Sequence, residues 1–276
     1  MNEIILSGEF YVSVPKVVNE AINGFINLSG EFMVPGNYPF SRKETLQEVI
    51  QRAGGLADTA YPLGAVLERK SIRAFTNDSV EPSLIKDLLI KSSRSPSGGN
   101  LQPWKIFVIT ENTMQKFLKF QQDWTEPEVP AYDIYPANLK EPYRTSRFEL
   151  GEQMYKLLGL SREDKEGRFG QVMKNFEFFG APTALFCFVD RVMGPPQWSD
   201  LGMFLQTFML LAQEAGLDTC AQESWSMKQD SVSAFVEASK EDMLFCALAI
   251  GYKDKEAKVN KLNSERRPIE EWTTFL

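Results

Sequence analysis

The sequence predicts a fold that mixes α-helices with β-strands around a buried core. Three observations support it. Apolar residues recur at helical spacing over residues 82–91 and through the long run 200–215. Short, almost wholly apolar runs at 184–189 and 244–250 read as buried strands. Hydrophobic residues make up 43% of the 276 and charged residues 24%, proportions that fill a core and still keep a surface in water. The length suits one large domain or two small ones.

The N-terminal part reads differently from the rest. Leu6-Ser7-Gly8-Glu9-Phe10 is echoed by Leu28-Ser29-Gly30-Glu31-Phe32, and Val34-Pro35-Gly36-Asn37-Tyr38-Pro39 is turn-rich between β-prone runs. Leu46, Val49, Ile50 and Ala53 fall at helical spacing, and Gly54-Gly55 closes that helix. Ser29-Gly30-Glu31, Pro35-Gly36 with Tyr38, Glu44-Thr45-Leu46, Ala53-Gly54-Gly55-Leu56 and Tyr61-Pro62 with Gly64-Ala65-Val66 resemble a soluble ligand-binding β-grasp module of bacterial polysaccharide-export proteins. This resemblance runs from Leu28 to about Ser71. It implies a small αβ appendage over residues 1–67 beside a main domain of residues 68–276. It also keeps open a saccharide-binding protein without catalysis.

The main domain continues with an amphipathic helix at 82–91, a strand at 105–110 and a helix at 112–120. Residues 122–145 are rich in Pro, Trp and Tyr, which suits either a lid over a flat ligand or a surface loop anchored by its aromatics. Ser161-Arg162-Glu163-Asp164 resembles a capping box, opening a helix that reaches Phe176 and ends before Pro182. The strand at 184–189 follows. Ser199 is the expected N-cap of the helix 200–215, and Gly216 its C-terminal stop. That helix is apolar almost all round, which places it centrally or at a subunit interface. The strand at 244–250, a charged loop at 254–261 and a tail at 268–276 complete the chain.

Charge and composition exclude several functions. The net charge of −7 disfavours nucleic acid or an anionic membrane surface as partner. No apolar run reaches the roughly 18–20 residues of a membrane span, and Met1-Asn2-Glu3-Ile4-Ile5-Leu6 lacks the basic start of a signal peptide, so a cytoplasmic protein is expected. Cys187, Cys220 and Cys246 are odd in number and far apart, against a disulfide framework or a zinc site. Cys220 reads as a small buried strand residue in preference to a redox thiol. Histidine is absent, which removes Ser-His and Cys-His nucleophiles and His-based metal sites. Chemistry must then come from carboxylates or lysine, or from a cofactor.

Two motifs point to the cofactor. Ser95-Pro96-Ser97-Gly98-Gly99-Asn100-Leu101-Gln102-Pro103-Trp104 offers backbone N–H groups of Gly98 and Gly99, the Ser97 hydroxyl and the Asn100 amide, an inventory suited to a flat heterocycle. Upstream lies Arg69-Lys70-Ser71-Ile72-Arg73, and near the C-terminus Ser264-Glu265-Arg266-Arg267; guanidinium groups present paired donors to phosphate. In this order, R-x-S-x-R and P-S-G-G-N-x-Q-P-W resemble the flavin-binding signature of the nitroreductase family. Asn175-Phe176 through Pro182, Gln197 through Met203, Thr219-Cys220 with Gln222-Glu223 and Trp225, and Val259-Asn260 with Ser264-Glu265-Arg266 resemble its nitrobenzoate-reductase-like branch. The similarity covers about residues 68–272.

The resemblance implies an α+β fold, a mostly antiparallel central sheet flanked by helices, assembled as a homodimer with FMN at the subunit interface. Arg69, Lys70, Ser71, Arg73, Ser264 and Arg266 are implied to hold the phosphate and ribityl tail, and Pro96, Ser97, Gly98 and Asn100 the ring from the other chain. Gln222 and Glu223 are implied to pass the ring's reactive nitrogen, N5, with the Glu223 N–H as donor. NAD(P)H is the implied electron donor and a small nitroaromatic the acceptor, in a ping-pong cycle without a catalytic side chain or metal. An enone or quinone reductase of the same fold is the alternative.

Overall fold

The computed structural model describes residues 2–6, 10–14, 24–29, 32–40, 46–55 and 70–276. The chain divides into two compact units. One comprises residues 1–69, 81–103 and 195–219, and the other residues 70–80, 104–194 and 220–276.

In the first unit, β1 (Asn2–Leu6), β2 (Phe10–Val14), β3 (Gly24–Ser29) and β4 (Gly36–Phe40) form a four-stranded antiparallel meander in sequence order. Its register is set by pairs such as Ile4↔Val12, Val12↔Leu28 and Ile26↔Tyr38. Helix α1 (Leu46–Arg52) follows, and Val49 and Ala53 are buried, as the helical spacing requires. Gly54 and Gly55 have φ of 82° and 89°, left-handed values that glycine takes without a Cβ penalty. There the chain turns back so that the N–H of Met33 donates to the Gly55 carbonyl at 3.0 Å.

The same unit contains α2 (Pro82–Ser92) and α6 (Pro195–Glu214), which pack on each other. The amphipathic pattern of α2 is realised, with Ile85 and Leu88 buried. Helix α6 starts earlier than Ser199. Pro195-Pro196 occupy its first turn, where a missing N–H costs nothing, and Ser199 Oγ instead donates back to the Pro195 carbonyl at 3.4 Å.

The second unit holds the central sheet, in the order β5 (Lys105–Ile109), β6 (Thr183–Asp190), β8 (Asp242–Gly251), β7 (Asp218–Gln222), with β5–β6 and β6–β8 antiparallel. Every residue of β6 from Thr183 to Val189 is buried, which is why this strand reads as a continuous apolar run. Against the sheet pack α3 (Glu111–Asp123) and α7 (Gln229–Val236); the unit also contains α4 (Tyr143–Leu158) and α5 (Lys165–Met173). Phe117 of α3 is fully buried among Phe178, Phe186, Trp225 and Phe235, with ring centroids 5.0–6.0 Å away. Asp164, not Ser161, caps α5, accepting the Gly167 N–H at 2.9 Å; the helix ends at Met173 and a 3-10 turn (Lys174–Gly180) carries the chain to β6.

Candidate functional site

The R-x-S-x-R segment is built into the second unit from Lys70 onward; Arg69 lies outside the described residues. Its backbone is clamped by one side chain. The Arg73 N–H donates to Asn260 Oδ1 at 2.8 Å, and Asn260 Nδ2 donates to the carbonyls of Ala74 and Asp254, both at 2.8 Å. An antiparallel bridge between Phe75 and Lys253, with the Thr76 N–H donating to the Tyr252 carbonyl at 2.8 Å, lays the segment along the stretch that follows β8. Gly251 is required at that approach. A Cβ there would come within 2.9 Å of Pro182 Cδ and 3.1 Å of Phe75 Cδ1.

The guanidinium of Arg73 is half-buried and, among the described residues, donates to the Ser71 carbonyl at 3.3 Å. Arg266 is exposed and donates to Ser264 Oγ at 2.7 Å and to the Ser264 carbonyl at 2.9 Å. Among the described residues no carboxylate pairs with either group, nor with Arg94, Arg147 or Arg191, whereas Arg144, Arg162, Arg168 and Arg267 have acidic partners. The two cations share no hydrogen-bonding partner. Each is held by local contacts that leave donors over, which is the condition an anion-binding arginine must meet.

The Ser95–Trp104 loop belongs to the first unit from Ser95 to Pro103. Buried Ser95 donates its hydroxyl to the Ser92 carbonyl at 2.7 Å and ends α2. Gly99, Asn100 and Gln102 take left-handed φ of 58°, 58° and 49°. Asparagine tolerates this conformation and glutamine does so at a cost. The N–H of Gly98, expected to be free for a ligand, is spent instead. It donates to both carboxylate oxygens of buried Asp200 on α6 at 3.2 Å. Ser97 Oγ accepts the Gln102 N–H at 3.0 Å and keeps its own proton to donate. The Asn100 carboxamide is exposed and bonds to nothing among the described residues. The loop thus keeps its side chains available while a carboxylate inside an apolar helix fixes its backbone.

The third element is the turn after β7. Gln222 is buried; its Nε2 donates to the Asn175 carbonyl at 2.7 Å, and its Oε1 has no partner among the described residues. Ser224 Oγ donates to Asn175 Oδ1 at 3.3 Å. Glu223, between them, is exposed and opens a 3-10 helix (Glu223–Lys228), so its N–H belongs to the group of helix-start donors that lack an intrahelical acceptor.

Residues 128–132 bind the same region. The Val129 N–H donates to Asp230 Oδ2 at 2.7 Å, Glu128 Oε2 accepts the N–H groups of Asp230 and Ser231 at 3.0 and 3.3 Å, and the Ala131 N–H donates to the Ser226 carbonyl at 2.8 Å. Tyr132 donates to the Phe245 carbonyl, and burial pushes its phenol well above the usual value, so it remains a neutral donor. Three residues of this architecture were not legible as site residues: Asn175, Asp200 and Asn260. All three lie in stretches that carry the family resemblance, and Asp200 has a further local signal, a buried charge in the second turn of a mostly apolar helix.

The cysteines do no visible chemistry. Cys187 and Cys246 face each other across β6 and β8, fully buried, and burial raises both thiols. Cys220 is buried on β7, as its strand position predicted. Among the described residues no group of three or more Cys, Asp or Glu side chains gathers to hold a metal ion, and no helix is long and apolar enough to cross a membrane.

One unit carries an antiparallel sheet with an arginine-bearing segment clamped beside its central strand; the other carries a glycine-containing loop braced from a helix of that same unit. The chain belongs to the nitroreductase family, whose model matches residues 66–252; an SLBB domain model matches residues 25–80. It is 31% identical over 214 residues to the 4-nitrobenzoate reductase of Pseudomonas putida, covering 76% of this chain and 93% of that protein. It is 30% identical to the nitrobenzene nitroreductase of Ectopseudomonas oleovorans, covering 76% and 95%. Among solved structures, the FMN and NADPH-dependent nitroreductase NfnB from Sphigopyxis sp. strain HMH matches at 42% identity with a TM-score of 0.70, over 75% of this chain and 95% of that one.

Proposed function

We propose that this protein is an FMN-dependent NAD(P)H oxidoreductase that reduces nitroaromatic acceptors. The observation that carries the reading is the pair Arg73 and Arg266: two cations without a carboxylate partner among the described residues of a chain with net charge −7. A phosphate monoester supplies the missing anion, and hydrogen bonds to a charged group contribute about 1.5–3 kcal/mol each. Buried Gln222 Oε1 supplies a further unmet acceptor, which fits a cofactor rich in N–H and O–H donors.

FMN held there would supply two-electron transfer from NAD(P)H to the acceptor. The chain's own groups bind and orient. Arg69, Lys70, Ser71, Arg73, Ser264 and Arg266 hold the phosphate and ribityl end. Pro96, Ser97, Gly98 and Asn100 of one protomer meet the ring held by its partner; Gly98 acts through loop shape, since its N–H is committed to Asp200. Gln222 and the Glu223 N–H would meet the reactive edge of the ring, where a backbone donor would favour negative charge. No side chain is needed as nucleophile, and water supplies the protons. In this reading residues 68–276 form the flavin domain of a cytoplasmic homodimer, and residues 1–67 an SLBB-like appendage.

The test is direct. Purified protein is expected to be yellow, to release FMN on denaturation as identified by mass, and to bleach on addition of NADH or NADPH. An acceptor screen of nitrobenzoates, quinones and enones then separates a nitroreductase from its sister activities. Arg73→Ala combined with Arg266→Ala is expected to lose bound FMN; full occupancy in the double variant contradicts the phosphate cradle. Colourless protein that binds saccharide would instead support a carbohydrate-binding role led by the N-terminal segment.

A further inference from the structure

We propose that Asn175 is a positioning residue that aims the Glu223 N–H, an inference that rests on the flavin reading above. Its two oxygens tie down both neighbours of Glu223. Gln222 Nε2 donates to the Asn175 carbonyl at 2.7 Å and reaches Oδ1 at 3.4 Å, while Ser224 Oγ donates to the same Oδ1 at 3.3 Å. One residue, 47 and 49 positions upstream, thereby holds the side chains on either side of an exposed turn residue.

Asn175 is itself held from two directions. Its Nδ2 donates to the Val172 carbonyl at 2.9 Å, which fixes the amide's orientation and leaves Oδ1 as the acceptor. The chain then enters a left-handed bend at Phe178, Phe179 and Gly180, with φ of 49°, 54° and 81°. Two bulky residues in that region are strained, and such strain persists only where surroundings over-determine it. The surroundings here are aromatic. Phe178 stacks on Trp225 at 4.7 Å and 23°, and Phe176 meets the same indole edge-on at 5.3 Å. Trp225 lies one residue beyond Ser224, so the bend and the turn are locked together. The strained bend places Asn175 where its oxygens reach Gln222 and Ser224.

A donor fixed in advance stabilises developing charge without having to reorganise, whereas a loose one must first be ordered. Asn175 therefore acts on the reduced cofactor more than on the oxidised one. The experiment compares FMN-loaded parent protein with Asn175→Ala, Ser224→Ala and, as a control at an exposed site on the same turn, Glu177→Ala. Affinities for oxidised and reduced FMN and the midpoint potential are measured. Asn175→Ala is expected to weaken reduced FMN about tenfold more than oxidised FMN, lowering the two-electron potential by about 30 mV. Ser224→Ala shifts it in the same direction by less, and Glu177→Ala leaves it in place. A parent-like potential in Asn175→Ala overturns the proposal, and so does equal weakening of both redox states, which marks a scaffolding role only. If Asn175→Ala does not fold, a parent-like potential in Ser224→Ala overturns it. Parent protein that binds no FMN overturns the flavin reading itself, an outcome distinct from yellow parent with unresponsive variants.

Discussion

Asp190 and Asp242 lie directly opposite each other on β6 and β8, an arrangement of like charges that opposes strand pairing. Lys105, on the neighbouring strand, resolves it. Its Nζ lies 2.5 Å from Asp242 Oδ1 and 4.0 Å from Asp190 Oδ2. The Asp242 side chain is 5% exposed and that of Lys105 46%, so water screens the cation but not its main partner. Lys105→Met is therefore expected to destabilise the fold by about 1–2 kcal/mol, less than for a fully buried pair. The hydrogen bond to Asp242 raises the Lys105 pKa above the ordinary 10.5. A raised lysine contributes its full stability below the unfolded value and loses it as pH climbs through the folded one. The gap in urea midpoint between parent and variant should hold steady from about pH 7 to 9 and close above about 10.5; a gap unchanged at higher pH would show that lost packing, not the ion pair, is responsible. None of this was visible in the chain, because the partners are 137 positions apart. The arginine signature, by contrast, was legible because its spacing is local.

At the scale of elements, periodicity revealed what is buried and missed what is not. The runs at 184–189 and 244–250 are the cores of β6 and β8, and the stripes at 82–91 and 112–120 are α2 and α3, each within a few residues. Helix α4 gave no signal: none of its 16 residues is buried, so there is no apolar stripe to read. Residues 122–145 looked like either a lid or an anchored loop. The structure shows the anchor: Glu128 caps the start of α7 from outside, Asp230 returns the contact through the Val129 N–H, and Tyr132 reaches β8. This latch joins groups about 100 positions apart and was beyond sequence reasoning. Glu128→Ala removes the acceptor for two helix-start N–H groups. It is expected to cost about 0.5–2 kcal/mol and to speed amide exchange and proteolysis across residues 124–142 while the sheet amides stay protected. Equal loosening of the sheet would mean that the latch is not a local device.

The whole molecule carries apolar surface that a single chain leaves in water. At the C-terminus Trp272 is 62% and Phe275 86% exposed, with Leu276 beyond them. On α5, Phe169, Val172 and Met173 are exposed at i, i+3 and i+4, one face of the helix. Singly exposed apolar residues are ordinary, but a stripe and an aromatic tail are the kind of surface that the proposed homodimer would cover. The proposed two-chain cofactor site requires the same thing, since the ring contacts and the phosphate contacts come from different protomers. Light scattering on the yellow protein should therefore return twice the mass of one chain, and dilution should release FMN as the dimer dissociates. Removing residues 272–276 is expected to raise the dimer dissociation constant and to weaken FMN retention in parallel, with the monomer's helical signal unchanged. FMN retained at full occupancy by a monomer would require every contact to come from one chain, and the assignment of Pro96–Asn100 to the partner's ring would then be wrong.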